Sequence, residues 1–106
     1  MDTPNLLFDF ELMLEKATQA SNFLKTLANA DRLLLLCQLS QTEMCVGELE
    51  AATGIKQPTL SQQLTVLRSE NLVNTRRDGK QIYYSIASQE ALAIMQLLYE
   101  QFCKKN

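Results

Sequence analysis

Residues Gly54-Ile55-Lys56-Gln57-Pro58-Thr59-Leu60-Ser61-Gln62-Gln63-Leu64-Thr65-Val66-Leu67-Arg68-Ser69 leave the chain little choice of fold. They read as a glycine turn feeding a helix. At about 100° per residue, Leu60, Leu64 and Leu67 fall on one narrow stripe, and Ile55 anchors the turn before them. Opposite the stripe stand Gln62, Thr65 and Ser69, flanked by Thr59 and Ser61, with Gln63 nearer the apolar edge. A merely solvated helix would carry Glu/Lys pairs there, since these favour helix and solubility. Amides and hydroxyls are instead the groups that read base edges and phosphates. An ordinary amphipathic helix with a polar outside is the plainer alternative. Pro58 suits the first helical turn, where its missing N–H costs nothing.

The neighbours of this stretch favour the first reading. Val46 to Thr53 forms a short helix with Val46, Leu49 and Ala52 expected inward, and Gly54 can take the left-handed conformation that stops it. Short helix, glycine turn and second helix with a polar face make a helix-turn-helix over residues 46–69. After Asn71 the apolar period changes from 3.6 to 2. Val73, Thr75 and Arg77 alternate with Asn74 and Arg76, Asp78-Gly79 supplies a two-residue turn, and Ile82, Tyr84 and Ile86 line one face of the return strand. The hairpin, residues 73–86, carries basic groups at its tip. A helix-turn-helix followed by a basic hairpin is a winged helix.

Charge supports a nucleic-acid partner in this region alone. The 106 residues carry a net charge of −2, which argues against an unselective nucleic-acid binder. Between Lys56 and Lys80, however, five basic groups face two acidic ones, a local +3 that leaves −5 on the remainder. There is no His, and the three cysteines, Cys37, Cys45 and Cys103, stand in no C-x-x-C spacing. Zinc sites and His-based acid–base chemistry thereby lose their usual ligand and proton carrier. With no glycine-rich phosphate loop either, a thiol enzyme is disfavoured, and a plain interaction module is the other alternative class. No apolar run reaches the roughly 18 residues of a membrane span, and the N-terminal residues, with Asp2 and no basic stretch, do not read as a signal peptide, so a cytoplasmic protein with reduced thiols is expected.

The rest of the chain completes a single domain, 1–106. Residues 1–9 are expected to form a flexible arm. From Phe10 to about Thr26, Met13, Ala17, Ala20 and Leu24 recur at helical spacing, enough apolar surface to pack on a second copy. Asn29 is a candidate N-cap for a helix through Leu33-Leu34-Leu35-Leu36-Cys37-Gln38-Leu39, apolar on nearly all sides and so central. Gln41-Thr42-Glu43 reads as a loop. From Ser88, another N-cap, a last helix runs to Cys103 with Leu92, Met95, Tyr99 and Cys103 on one stripe and Leu98 and Phe102 beside it. The expected architecture is mainly α with a β-hairpin wing, in the order ααααββα, dimeric through its terminal helices.

Four segments together resemble the ArsR/SmtB family of bacterial repressors: Leu27-Ala28-Asn29-Ala30-Asp31-Arg32, Val46-Gly47-Glu48-Leu49, Thr59-Leu60-Ser61-Gln62-Gln63-Leu64 and Arg77-Asp78-Gly79-Lys80-Gln81-Ile82-Tyr83-Tyr84. The resemblance extends from about Ala17 to Cys103. It implies a homodimer on an inverted-repeat, double-stranded operator, released by an inducer. On this reading Gln57, Thr59, Ser61, Gln62 and Gln63 meet the major groove, and Arg76, Arg77 and Lys80 hold phosphate or the minor groove. Metal-sensing members carry a Cys-x-Cys at the short helix, where this chain has Cys45-Val46-Gly47, or His-containing sites on the last helix; both metal sites look absent, and no cofactor is implied. Cys37 and Cys103 instead resemble the dithiol of a sulfur-sensing branch, in which reactive sulfur species bridge the pair and weaken DNA binding. The alternative is a repressor of the same family with a different inducer or none, its cysteines structural. Cys45 reads as a bystander.

Overall fold

The computed structural model describes residues 6–104, and side chains from residue 9. Five helices and a three-stranded sheet follow one another as α1 (Leu6–Leu27), α2 (Ala30–Leu39), β1 (Met44–Cys45), α3 (Val46–Thr53), α4 (Thr59–Ser69), β2 (Val73–Asp78), β3 (Gln81–Ile86) and α5 (Gln89–Leu98). A single π-helical turn, Tyr99–Cys103, prolongs α5. Its signature is the bond from the Lys104 N–H to the Tyr99 carbonyl, five residues back, at 2.9 Å.

Local chemistry accounts for the boundaries. The Asn29 side chain accepts from the Arg32 N–H at 3.0 Å and caps α2, and the Ser88 hydroxyl accepts from the Ala91 N–H at 3.0 Å and caps α5. Gly54 ends α3 at φ +76°, a conformation a side chain would strain. Helix α1 begins at Leu6, within the stretch expected to be an arm; Asp9 in its first turn complements the helix dipole there. The expected arm over residues 1–5 lies outside the described residues.

Helix α2 occupies the centre. It packs on α1, α3, α4, α5 and β3, and its Leu35, Leu36 and Leu39 are buried. Leu49, Leu60, Leu64, Leu67, Ala91 and Met95 close the same core around it. On α3 the inward stripe passes through Leu49 and half-buried Thr53, while Ala52 is exposed. The expectation for Ala52 fails because the step from Leu49 to the next buried position is four residues here, and the Thr53 hydroxyl donates back to the Leu49 carbonyl at 2.7 Å.

The sheet order is β1-β3-β2, all antiparallel. Strand β1 was not foreseen: two residues are too few to show a period. It pairs Cys45 with Tyr83, while β2 pairs Arg76 with the same Tyr83. Asp78 pairs with Gln81, so the hairpin turn is Gly79-Lys80, one residue later than Asp78-Gly79. Gly79 at φ +64° supplies the positive φ that the first central position of such a turn requires. No helix among the described residues is long and apolar enough to cross a membrane.

Two helices leave apolar faces uncovered. On α1, Phe10, Met13, Leu14 and Leu24 are 52–64% exposed, and beyond the middle of α5 Leu97, Tyr99 and Phe102 are exposed, Phe102 at 77%. Aromatic and aliphatic surface of this extent on two elements marks an association face.

Candidate functional site

The buried stripe Leu60, Leu64 and Leu67 turns the other side of α4 to solvent. Ser61, Gln62, Thr65 and Ser69 are exposed on it, and Thr59 is half-buried at its edge. Gln57 lies just before the helix, and its side-chain carbonyl accepts from the Ser61 N–H at 3.1 Å, closing the first turn. The Thr65 hydroxyl donates to the Ser61 carbonyl at 2.8 Å and that of Ser69 to the Val66 carbonyl at 2.9 Å. Gln62 has no side-chain hydrogen bond among the described residues. Gln63 differs from its neighbour: it is half-buried, and its carbonyl oxygen is held by Arg32 Nη1 at 2.8 Å. Two amides adjacent in sequence therefore face different surroundings.

At the wing the three basic residues also separate. Lys80 is exposed at the turn and makes no ion pair among the described residues. Arg77, exposed on the same tip, donates from Nε to the Gly79 carbonyl at 3.2 Å. Arg76 is not offered in the same way. Its Nε donates to Glu43 Oε2 at 2.9 Å and to Oε1 at 3.2 Å, its Nη2 also meets Oε1, and its guanidinium lies 4.8 Å from the Tyr83 ring centroid. Pairing across the sheet explains this. Arg76 and Tyr83 are opposite each other, and Glu43, two residues before Cys45, continues the same face. The Arg76 hydrogen bonds hold the Glu43 carboxyl below its ordinary 4.5, and the same bonds raise the Arg76 guanidinium. Partial burial raises the Tyr83 hydroxyl.

The cysteines fall into two environments. Cys45 is buried, and its N–H donates to Glu48 Oε1 at 3.0 Å as α3 begins. Cys37 on α2, half-buried, and Cys103 at the end of the π-helical turn, exposed, line one cleft of about 590 Å³ between these elements. Leu33, Leu34, Leu98 and Phe102 share its walls, and among the described residues no charged side chain does. The two thiols thus share one apolar surrounding.

Sequence reasoning missed Arg32 and Glu43. Each acts through a partner more than thirty residues away, on α4 and β2 respectively, and no local spacing announces either pairing.

A model of bacterial regulatory proteins of the arsR family matches residues 29–75. The chain is 52% identical over 91 residues to the biofilm growth-associated repressor of Agrobacterium fabrum, covering 86% of this chain and 78% of the relative. Among solved structures, the transcriptional repressor BigR from Xylella fastidiosa superposes with a TM-score of 0.82 at 47% identity, over 90% of this chain and 97% of that one. Reduced HlyU from Vibrio cholerae superposes with a TM-score of 0.85 at 37% identity, over 89% and 99%.

Proposed function

The chain belongs to the arsR family of bacterial regulatory proteins, and on that premise we propose that it is a homodimeric transcriptional repressor released from DNA by reactive sulfur species. The family consists of DNA-binding transcription regulators, not enzymes. In the proposed complex the two α4 helices enter successive major grooves of an inverted repeat, about 34 Å apart. Gln62 reads a base edge, Thr59, Ser61 and Thr65 meet bases or phosphate, and Arg77 and Lys80 at the wing neutralise phosphate. The uncovered faces of α1 and α5 supply the dimer contact.

One observation carries the sensing half: Cys37 and Cys103, far apart in sequence, line a single apolar cleft. A thiolate of the pair attacks hydrogen disulfide, its S–S bond breaks, and a protein persulfide and one hydrogen sulfide result. The second thiolate displaces the terminal sulfur as another hydrogen sulfide. Two thiols and one hydrogen disulfide thus yield one bridge and two hydrogen sulfide. Where the persulfide first attacks a second hydrogen disulfide, that S–S bond breaks, hydrogen sulfide leaves and a hydrotrisulfide results, and its closure by the second thiolate, again expelling hydrogen sulfide, gives a bridge one sulfur longer. The apolar walls favour polarisable sulfur over strongly hydrated peroxide. Bridging α2 to the end of α5 repositions the dimer helices, so that the two α4 helices no longer match the operator spacing.

Mass spectrometry of the reduced protein after parallel polysulfide and peroxide treatment tests the chemistry, with operator binding followed on the same samples. Expected is a Cys37–Cys103 link with polysulfide, accompanied by loss of DNA binding. Release that persists unchanged in Cys37→Ser/Cys103→Ser protein would refute the assignment and leave a repressor whose inducer acts elsewhere.

A further inference from the structure

Arg32 lies where three helices meet. Its guanidinium is half-buried and uses two nitrogens on different partners: Nε donates to the Thr26 carbonyl at 2.6 Å, and Nη1 donates to Gln63 Oε1 on α4 at 2.8 Å. Thr26 stands in the last turn of α1, where carbonyls have no partner within the helix. Its neighbours Leu24, Lys25 and Leu27 are bonded by the N–H groups of Ala28 and Asn29, and Arg32 supplies the donor for Thr26. The Asn29 cap on the Arg32 N–H holds the backbone of this residue at the start of α2. One side chain therefore ties the end of α1, the start of α2 and the middle of α4.

The chemistry of arginine decides which way Gln63 faces. A guanidinium has five donors and no acceptor, so the end of the Gln63 amide turned toward it is the oxygen. A glutamine that reads adenine needs its oxygen and its NH2 side by side on the base edge, one accepting and one donating. With its oxygen turned back toward α2, Gln63 cannot offer that pair. Gln62, exposed one residue earlier, keeps both ends.

We propose that Arg32 is the positioning residue of the reading helix: by holding the Gln63 carbonyl it fixes α4 about its own axis against α1 and α2, and so selects Gln62 as the glutamine that faces the bases. Gln63 then acts as the arm of a clamp and makes no base contact. The inference rests on the repressor reading and adds to it the residue that sets sequence selectivity.

Exchange at Gln63 separates a clamp from a reader. Gln63→Glu keeps an acceptor for Arg32 but places a carboxylate where a base-reading amide would be; Gln63→Met keeps the length and removes the acceptor. An operator is first selected from randomised duplexes with wild-type protein. Then the ratio of operator to random-sequence affinity, its salt dependence and the thermal midpoint are measured for each variant. Expected is a fall in the ratio of about tenfold for Gln63→Met, a change within about threefold for Gln63→Glu, and the same salt slope in both, because no phosphate contact is lost. Arg32→Lys, which retains charge but cannot span Thr26 and Gln63 together, is expected to lower the ratio as well, and it serves where Gln63→Met does not fold. Loss with Gln63→Glu as large as with Gln63→Met would overturn the inference, since Gln63 would then meet DNA itself. So would an undiminished ratio in Gln63→Met or, where that variant does not fold, in Arg32→Lys. Wild-type protein that selects no sequence would overturn the repressor reading and this one with it, whereas a selective wild type with equally selective variants would overturn this one alone.

Discussion

Replacing Lys80 by Ala isolates the electrostatic part of DNA binding. Lys80 is exposed at the tip of the hairpin, has no acidic partner among the described residues and packs on nothing in the core, so its loss should leave the fold intact. A phosphate contact releases about 0.9 of a counterion, and the proposed dimer makes the contact twice. The slope of log K against log salt should therefore flatten by about 1.8. Taking a contact to be worth nothing at 1 M salt, the same coefficient gives about fivefold per contact at 0.15 M, or about 30-fold for the dimer. The loss should be equal for operator and random duplexes, because phosphate carries no sequence. Fluorescence anisotropy titrations of both duplexes at four or more salt concentrations would measure it. An unchanged slope would refute the placement of Lys80 on phosphate, and a loss confined to the operator would mean that it reads a base.

Three further outcomes are expected. Gln62→Ala should weaken operator binding by about 1–3 kcal/mol per protomer while leaving random-sequence affinity and the thermal midpoint in place, and equal operator affinity in a competition assay would remove Gln62 from the reading face. Leu64→Ala, at a side chain 2% exposed, should cost about 2–5 kcal/mol and lower the unfolding midpoint by about 10 °C or more; a shift of a degree or two would mean that α4 is not anchored by this stripe. Because the folded Glu43 carboxyl titrates below 4.5, the contribution of its pair with Arg76 is present above that value and is lost as the pH falls through the lowered one. Side-chain NMR of Glu43 should give a midpoint below 4.5 that returns to it in Arg76→Ala, and an identical midpoint in the two proteins would show the pair to be idle in solution.

What could be read from residues alone was what local periodicity and capping chemistry encode. Leu60, Leu64 and Leu67 were legible because a three-and-four spacing on a helix of known start allows one inward face. Asn29, Ser88 and Gly54 were legible because each solves a problem at a helix end that few residues solve. What local pattern did not show is tertiary. Arg76 was grouped with the wing cations, and strand pairing places Glu43 on its face of the sheet, a partner that nothing near either residue announces. Helical angle set Gln63 nearer the apolar edge, but it could not show that Arg32, from another helix, holds its oxygen. Cys37 and Cys103 were paired by resemblance, and the fold sets both on one cleft, which spacing could not have indicated.

The joint between β1 and α3 has a mechanical meaning. Helix α3 starts at Val46, directly after β1 ends at Cys45, and β1 is bonded to β3 of the wing. No loop intervenes, so the wing and α3 form one solid piece, further tied at Glu43 and Arg76, and the reading helix α4 joins it through its packing on β2. Such a piece responds to events at the dimer axis as a lever and not as a spring. In the proposed dimer each reading helix would stand about 17 Å from the axis, half of the spacing between successive major grooves, and a rotation of about 10° would sweep it through about 3 Å. That is close to the rise of one base pair, about 3.4 Å. A small turn at the terminal helices is thus geared to a whole step along the duplex, and a repressor built this way can leave its operator without any part of its DNA-binding surface changing shape.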